Sequence, residues 1–315
     1  DRPDLVSRVV DYPFARFGAR REAYDFCLDL KEALLADLTG ILNDYHGIDR
    51  SPEYWDVLLC AWLHRVVMTA HHHRTCLRTA REQFPDMKIF GPLREAVAPT
   101  TTSGVLYREL WGSRRHLAIF AELADAMGID CERIASSEPD WPPSPVPDAV
   151  VEHRRGGLQD IVGAIRGKLA DVAADRAACV LYNAPVGVAE ALELGVRSGF
   201  RIARLPLRSA SEVQWPAPDT SARESLARLL EKSSCGSAKF SALARVLAHN
   251  LPISLLEGFG VLQDYARSQF PSRTDTVASG MAWVGDDGFL LWAAATKERG
   301  GRLVSLQHGG SYGIR

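Results

Sequence analysis

Hydrophobic residues in the first third of the chain recur at the spacing of α-helices. Residues 22–45 place Leu34, Leu38 and Leu42 on one side and acidic residues on the other, which predicts an amphipathic helix that ends at Gly47. Ser51 followed by proline predicts the start of a second helix over residues 52–83. A third helix is predicted over 99–127, so the first 135 residues are expected to be mainly helical.

After about residue 150, short apolar runs alternate with helical segments. Strands are predicted at 179–185, 200–206, 275–280 and 302–308, and helices at 190–199, 220–232, 238–249, 252–269 and 288–300. Strands that alternate with helices of this length favour a parallel sheet with helices on both faces. The predicted fold class is therefore α/β, a Rossmann-like sheet behind a mainly helical N-terminal region.

A proline-rich stretch separates the two patterns. Five prolines fall within residues 136–149, which excludes a helix there and predicts a semi-rigid crossing segment. The predicted organisation is a helical region over 1–135, the crossing segment over 136–150 and the Rossmann-like region over 151–315.

Composition and charge exclude several classes of function. With 37 basic and 39 acidic residues, the chain offers no overall attraction to nucleic acid or to an anionic membrane. The six cysteines form no CxxC pair, which is typical of reduced thiols in a cytoplasmic protein and predicts no metal site. No run of 18 apolar residues predicts a transmembrane helix.

The carboxyl ends of three predicted strands carry small or polar residues. These ends are residues 183–185, Ser279-Gly280 and residues 307–310. Because ligands of parallel sheets bind outside the carboxyl ends of the strands, Ser279 and Gly280 are candidate ligand-binding residues.

The last strand leads into Gln307-His308-Gly309-Gly310, which has the chemistry of a phosphate site. Glycines allow the backbone to approach a phosphate closely, a histidine can donate to a phosphate or act as an acid, and a glutamine amide can hold a base or a sugar hydroxyl. A plain turn after a strand explains the same four residues about equally well, because short glycine motifs are weak signals.

Three blocks in order give the chain a specific resemblance. The segment "QHGGSYG" at 307–313 resembles the signature of the LIC12162 family of transferases. Residues 42–63 and 251–259 resemble two further blocks of that family. The resemblance covers about 20–313, and it implies a two-lobed GT-B glycosyltransferase of bacterial surface-polysaccharide synthesis, of which this chain is the N-terminal lobe.

The resemblance also implies substrates and site residues. The donor would be a nucleotide-activated sugar, the acceptor a carbohydrate or a lipid-linked glycan, and no cofactor or metal is expected. The protein would be cytoplasmic, with a peripheral position at the inner membrane left open. The implied catalytic residue in the signature is His308, and the implied donor-binding residues are Gln307, Gly309, Gly310, Tyr312 and Gly313.

Departures from the family pattern leave alternatives open. Cys60-Ala61 replaces a Gly-Pro pair, and "AHHHRT" at 70–75 keeps only Arg74 of an acidic-Arg pair. Family members continue beyond the signature into a second lobe, so we expect this chain to be the N-terminal lobe of the enzyme. The alternative is a non-catalytic truncated lobe, or a binding or assembly module that needs a partner lobe. A dinucleotide-binding Rossmann domain is disfavoured because G-x-G-x-x-G is absent.

Five further residues, in three places along the chain, are functional candidates. Glu257 is a second candidate catalytic residue, as a base or a holder of a substrate hydroxyl, or else a carboxylate that caps a helix or pairs with an arginine. His46 caps a helix or faces the acceptor. His71-His72-His73 point about 100° apart on a helix and cannot converge on one ion, so a solvated helix end is the favoured interpretation.

Overall fold

A computed structural model describes residues 10–93, 97–134, 158–208, 213–233 and 241–307. The proline-rich segment and most of the terminal signature lie outside the described residues. The signature residues outside them are His308, Gly309, Gly310, Tyr312 and Gly313.

Two long helices form the N-terminal region, as the periodicity predicts. They are α1 (Phe17–His46) and α2 (Pro52–Gln83). Gly47 ends α1 in the left-handed conformation, with φ at 63°, which glycine adopts without strain. The Ser51 hydroxyl accepts the backbone N–H of Tyr54 at 3.2 Å and so caps the start of α2.

The region predicted as a third helix contains two helices, and a short strand lies on each side of the pair. Helix α3 (Ser103–Glu109) and helix α4 (Ser113–Ala126) are separated at residues 110–112. Strands β1 (Ile89–Pro92) and β2 (Cys131–Ile134) pair in parallel, with Ile89 opposite Cys131. The expectation of a single helix over 99–127 was wrong. Strand β1 was missed because it contains Gly and Pro, and strand β2 because two of its four residues are charged.

The second half of the described chain follows the predicted alternation. Its elements are α5 (Leu158–Arg176), β3 (Cys179–Tyr182), α6 (Val188–Arg197), β4 (Ile202–Leu205), α7 (Thr220–Lys232), α8 (Ser241–Asn250), α9 (Phe259–Gln269), β5 (Thr276–Ser279), α10 (Asp287–Glu298) and β6 (Arg302–Ser305). A 3₁₀ turn at Ile253–Leu255 replaces the beginning of the helix predicted over 252–269.

The four strands β3 to β6 form one parallel sheet in the order β4-β3-β5-β6. Val180, Leu181 and Tyr182 are buried in succession, and so are the last three residues of β5. Because successive side chains of a strand point to opposite faces, both faces of the sheet are covered. The prediction of a mixed α/β fold with a covered parallel sheet is confirmed.

Helix α2 joins the two halves of the molecule. It packs against α1, α4, α8 and α10, and its apolar side chains belong to one continuous core that reaches from the N-terminal helices to the four-stranded sheet. The indole N–H of Trp62 donates to the Asn250 carbonyl at 2.7 Å and ties α2 to the end of α8. The boundaries at 135 and 151 stay predictions.

Candidate functional site

The strand order creates a topological switch point between β3 and β5. From β3 the chain moves to β4 on one side, and β5 and β6 then lie on the other side. In open α/β sheets, ligands bind in the crevice outside the carboxyl ends of the strands at such a point. The residues that follow β3 and β5 are Asn183 and Gly280, and Gln307 follows the neighbouring β6. We call this place the switch edge.

Backbone forms the floor of the switch edge. The Gly280 N–H donates to the Asn183 carbonyl at 3.1 Å, and a Cβ at Gly280 would lie 3.1 Å from the same oxygen. Asn183 has φ at 45°, a left-handed conformation that asparagine tolerates better than most residues. The two strand ends therefore approach closely, and only glycine fits this contact without displacement.

Ser279 is the last residue of β5 and is fully buried. Its hydroxyl accepts the Ala282 N–H at 3.3 Å, and its carbonyl accepts the Trp283 indole N–H and the Leu306 N–H, both at 2.8 Å. These bonds give Ser279 a role in shaping the turn after β5. A contact between Ser279 and a donor stays a prediction.

A polar network lies directly beneath the switch edge. The Tyr182 hydroxyl donates to Asp286 Oδ2 at 2.7 Å and accepts the Arg208 N–H at 3.1 Å. The Arg208 guanidinium pairs with Asp171, and its buried Nε has no hydrogen-bond partner among the described residues. Sequence reasoning missed Arg208, because a single arginine after a strand carries no pattern.

Two buried aspartates begin helix α10. Burial raises the pKa of Asp286, and it raises the pKa of Asp287 to about 6 although neighbouring donors act against the shift. Asp287 Oδ2 accepts the Ser103 N–H at 2.9 Å and the Ser254 hydroxyl at 2.5 Å. The N-terminus of α10 is thus bonded internally to α3 and to the 3₁₀ turn.

The family model for LIC12162 family transferases matches residues 3–315. The chain belongs to this family. The resemblance predicted from the QHGG signature is confirmed, and with it the general class, a transferase. No curated protein and no solved structure matches the chain.

Within this transferase, Glu257 forms a buried ion pair. Its two oxygens each lie 2.8 Å from Arg223 nitrogens, and Oε1 also accepts the Asp219 N–H at 2.9 Å. Arg223 in turn donates to the carbonyls of Ala248 and Leu251 at the end of α8. Glu257 therefore makes the arginine pair and the helix-start contact that are the structural alternative to a catalytic role. The catalytic role of Glu257 stays a prediction.

His46 of the transferase is packed inside the protein. Its ring stacks on Phe259 with 4.2 Å between ring centres, and Nε2 lies 3.2 Å from the Leu255 carbonyl. Burial lowers the pKa of His46 to about 4. The neutral ring therefore joins α1 to the α8–α9 connection.

The three consecutive histidines do not lie at a solvated helix end, and that expectation was wrong. Helix α2 continues to Gln83, and His73 is buried, with Nε2 at 2.7 Å from His116 Nδ1. His116 Nε2 lies 2.7 Å from the Leu110 carbonyl, which can only accept, so that nitrogen carries the hydrogen. His73 then donates to His116. Burial lowers the pKa of His73 to about 3.

Metal ligands and membrane-spanning helices are the features of the described residues that bear on partners of the transferase. In this part of the chain, no three His, Cys, Asp or Glu side chains come together in a way that could hold a metal ion. No described helix is both long and apolar enough to cross a membrane.

Proposed function

We propose that this transferase is a GT-B-like glycosyltransferase that uses a nucleotide-activated sugar in bacterial surface-polysaccharide synthesis. The observation that carries the proposal is the strand order, which places the ends of β3 and β5, at Asn183 and Gly280, at a topological switch point. A nucleotide is the type of ligand that such crevices hold.

Gln307 begins the family signature and is its one described residue. We propose that its amide binds the base or ribose of the donor. The donor-binding roles of Gly309, Gly310, Tyr312 and Gly313 and the catalytic role of His308 rest on the family resemblance alone.

The transfer makes one bond and breaks one. The acceptor hydroxyl oxygen bonds to the anomeric carbon of the sugar, the bond between that carbon and the phosphate oxygen breaks, and the acceptor proton passes to a base. The leaving phosphate gains negative charge, which nearby cations and N–H groups stabilise. Arg208, beside the end of β3, is the described cation that we assign to this phosphate.

A panel of nucleotides tests the donor. Calorimetric titration of the full chain with UDP, GDP, CDP, CMP and NAD should show binding of one sugar-donor nucleotide at least about tenfold more tightly than NAD. Arg208→Gln should weaken that binding about tenfold, whereas Arg197→Gln, at an exposed position on α6, should not. Preference for NAD, or no nucleotide binding at all, would contradict the proposal.

One observation favours the second candidate, a binding or assembly module. Helix α6, beside the edge strand β4, exposes Val188, Leu192 and Val196 to 70%, 63% and 61%. Three aliphatic side chains at i, i+4 and i+8 form an apolar stripe, and such exposed stripes mark interaction surfaces. Sedimentation of the full chain and of Leu192→Glu would show whether this stripe carries an association.

A further inference from the structure

Arg65 lies in the middle of α2 and reaches the residues that connect β5 to α10. We call residues 281–286 the β5–α10 turn. Arg65 Nη1 donates to the Val284 carbonyl of this turn at 2.8 Å. The turn is compact, because the Val284 N–H donates to the Met281 carbonyl at 3.0 Å. Val284 is four residues from Gly280, which limits the distance between them to about 14 Å. Helix α2 therefore brings a cation to the neighbourhood of the switch edge.

Tyr107 of α3 supports the Arg65 side chain from one face. The guanidinium carbon lies 3.8 Å from the centre of the Tyr107 ring, which is a cation–π contact. A guanidinium that is stacked on a ring keeps its N–H groups at the edge available for a phosphate. Among the described residues, Val284 is the acceptor for one of these N–H groups. Nε and Nη2 have no partner in that part of the chain, and neither is buried.

The positive charge of Arg65 has no carboxylate beside it among the described residues. Burial lowers the pKa of Arg65, and the acidic groups that act against this shift are the Tyr107 phenol and the Cys60 thiol. Both of these groups are uncharged at neutral pH. A half-buried cation without a counter-charge is unfavourable, and a bound anion would offset this cost.

The arginines of a cleft beside β1 and β2 are in the opposite situation. This small cleft lies at the carboxyl ends of both strands, and its lining includes Val97, Arg115, Glu122, Arg133, His249 and Asn250. Arg115 pairs with Glu109, and Arg133 pairs with Asp125. Their charges are balanced within the protein, whereas the charge of Arg65 is not.

Arg208 approaches the β5–α10 turn from the side of β3. Its backbone N–H donates to the Tyr182 hydroxyl at 3.1 Å, and that hydroxyl donates to Asp286 Oδ2 at 2.7 Å. Asp286 is two residues from Val284, whose carbonyl accepts from Arg65. Two arginines from distant parts of the chain therefore lie near the same turn.

The strand order places three candidate groups in a row. Arg208 lies beside the end of β3, the β5–α10 turn follows β5, and Gln307 follows β6. These strands are neighbours in the order β3-β5-β6. Neighbouring strands are about 4.8 Å apart, so three strand ends span about 10 Å. A nucleotide with two phosphates is an extended ligand that can cross such a span.

We propose that Arg65 binds the ribose-linked phosphate of the donor, while Arg208 faces the phosphate that is bonded to the sugar. The donor is then a nucleoside-diphosphate sugar rather than a nucleoside-monophosphate sugar, whose single phosphate would leave one arginine unused. This inference rests on the proposed function and names the class of its donor.

Nucleotides that differ by one phosphate test the inference. Calorimetric titration of the full chain with UDP and UMP, GDP and GMP, and CDP and CMP measures each affinity. We expect the diphosphate of the preferred base to bind at least about tenfold more tightly than its monophosphate. Equal affinity for the two members of that pair, or tighter binding of the monophosphate, would overturn the inference.

Matched arginine variants locate the effect. Arg65→Gln should weaken binding of the diphosphate about tenfold and change the affinity for the monophosphate less than about twofold. Arg81→Gln is the control, because Arg81 also lies on α2 and donates to a backbone carbonyl, that of Met127. It lies about 24 Å further along the helix. A diphosphate preference that survives unchanged in folded Arg65→Gln would contradict the role of Arg65.

Two variants of Tyr107 serve if Arg65→Gln fails to fold. Tyr107→Ala removes the ring that supports the guanidinium and should reduce the diphosphate preference at least about threefold. Tyr107→Phe keeps the ring and should keep the preference. The same preference in both variants would overturn the inference.

The same titrations separate this inference from the proposed function. Nucleotide binding without a preference for the diphosphate would contradict the role of Arg65 and leave the glycosyltransferase standing. Binding of no nucleotide from either series would contradict both.

Discussion

The two carboxyl edges of the molecule are built in opposite ways. At the switch edge the floor is backbone, and the nearby polar side chains bond to one another, as Tyr182 does with Asp286. At the cleft beside β1 and β2 the lining is charged side chains, and Glu122 Oε2 is left without a partner among the described residues. The switch edge therefore offers a ligand mainly the shape of its backbone. The cleft instead presents charged side chains that are paired with carboxylates.

This difference shows where rigidity comes from at each edge. The sheet itself fixes the switch edge, since the parallel ladder positions Asn183 and Gly280. The cleft depends on packing between helices α4 and α8 and on the buried pair of Glu257 with Arg223. Perturbations of helix packing should therefore disturb the cleft first.

The largest effect is expected from breaking that buried pair. Glu257→Ala leaves the Arg223 charge buried without its carboxylate, which should lower the free energy of unfolding by about 3–5 kcal/mol. Glu193→Ala, which removes one partner of an exposed pair on α6, should cost less than about 1 kcal/mol. Urea denaturation of both variants measures the difference. A loss below about 1 kcal/mol in Glu257→Ala would remove the pair as the support of the cleft.

Acid should act in opposite directions on two buried groups, His73 on α2 and Asp287 at the start of α10. The pKa of His73 is about 3 in the folded state and 6.5 in the reference state, so the unfolded chain binds a proton first, and stability is lost as the pH falls from 6.5 towards 3. The pKa of Asp287 is raised from 3.8 to about 6, so its contribution is fully present below 3.8 and is lost as the pH rises through 6.

Each contribution should amount to roughly 3–5 kcal/mol at its limit. Denaturation curves between pH 4 and 7 for wild type, His73→Asn and Asp287→Asn measure the two slopes separately. If both variants keep the wild-type pH dependence, neither group sets the pH dependence of stability.

A glycine pair sharpens the comparison at the switch edge. Gly280→Ala places a Cβ 3.1 Å from the Asn183 carbonyl and should weaken nucleotide binding about tenfold. Gly260→Ala, where a Cβ meets nothing within 4 Å, is the matched control. Unchanged nucleotide affinity in Gly280→Ala would remove the switch edge as the nucleotide site.

The smallest effect tests the connection between the edges. Thr101→Ala lies in the segment that runs from the cleft to Asp287, and its carbonyl bond to Ser254 uses backbone atoms that the substitution keeps. We therefore expect a change below about twofold in nucleotide affinity. A larger change would indicate that the Thr101 side chain couples this segment to the switch edge.

The two edges also differ in how far the sequence predicts them. Strand ends are contiguous in sequence, so Ser279-Gly280 and Gln307 were found from the apolar runs that precede them. The cleft was not found, because Arg115, Arg133 and His249 come from separate elements and neither β1 nor β2 forms an apolar run. Burial of His73 was missed because its partner His116 lies on another helix.

Helix α2 has a consequence for dissecting the protein. Its apolar residues face α1, α4, α8 and α10 at once, so the N-terminal helices and the four-stranded sheet melt as one cooperative unit. A fragment that begins at residue 158 would expose the buried face of α10, including Phe289 and Leu290, and should aggregate. Calorimetry should accordingly record a single transition, with no separately folding sheet.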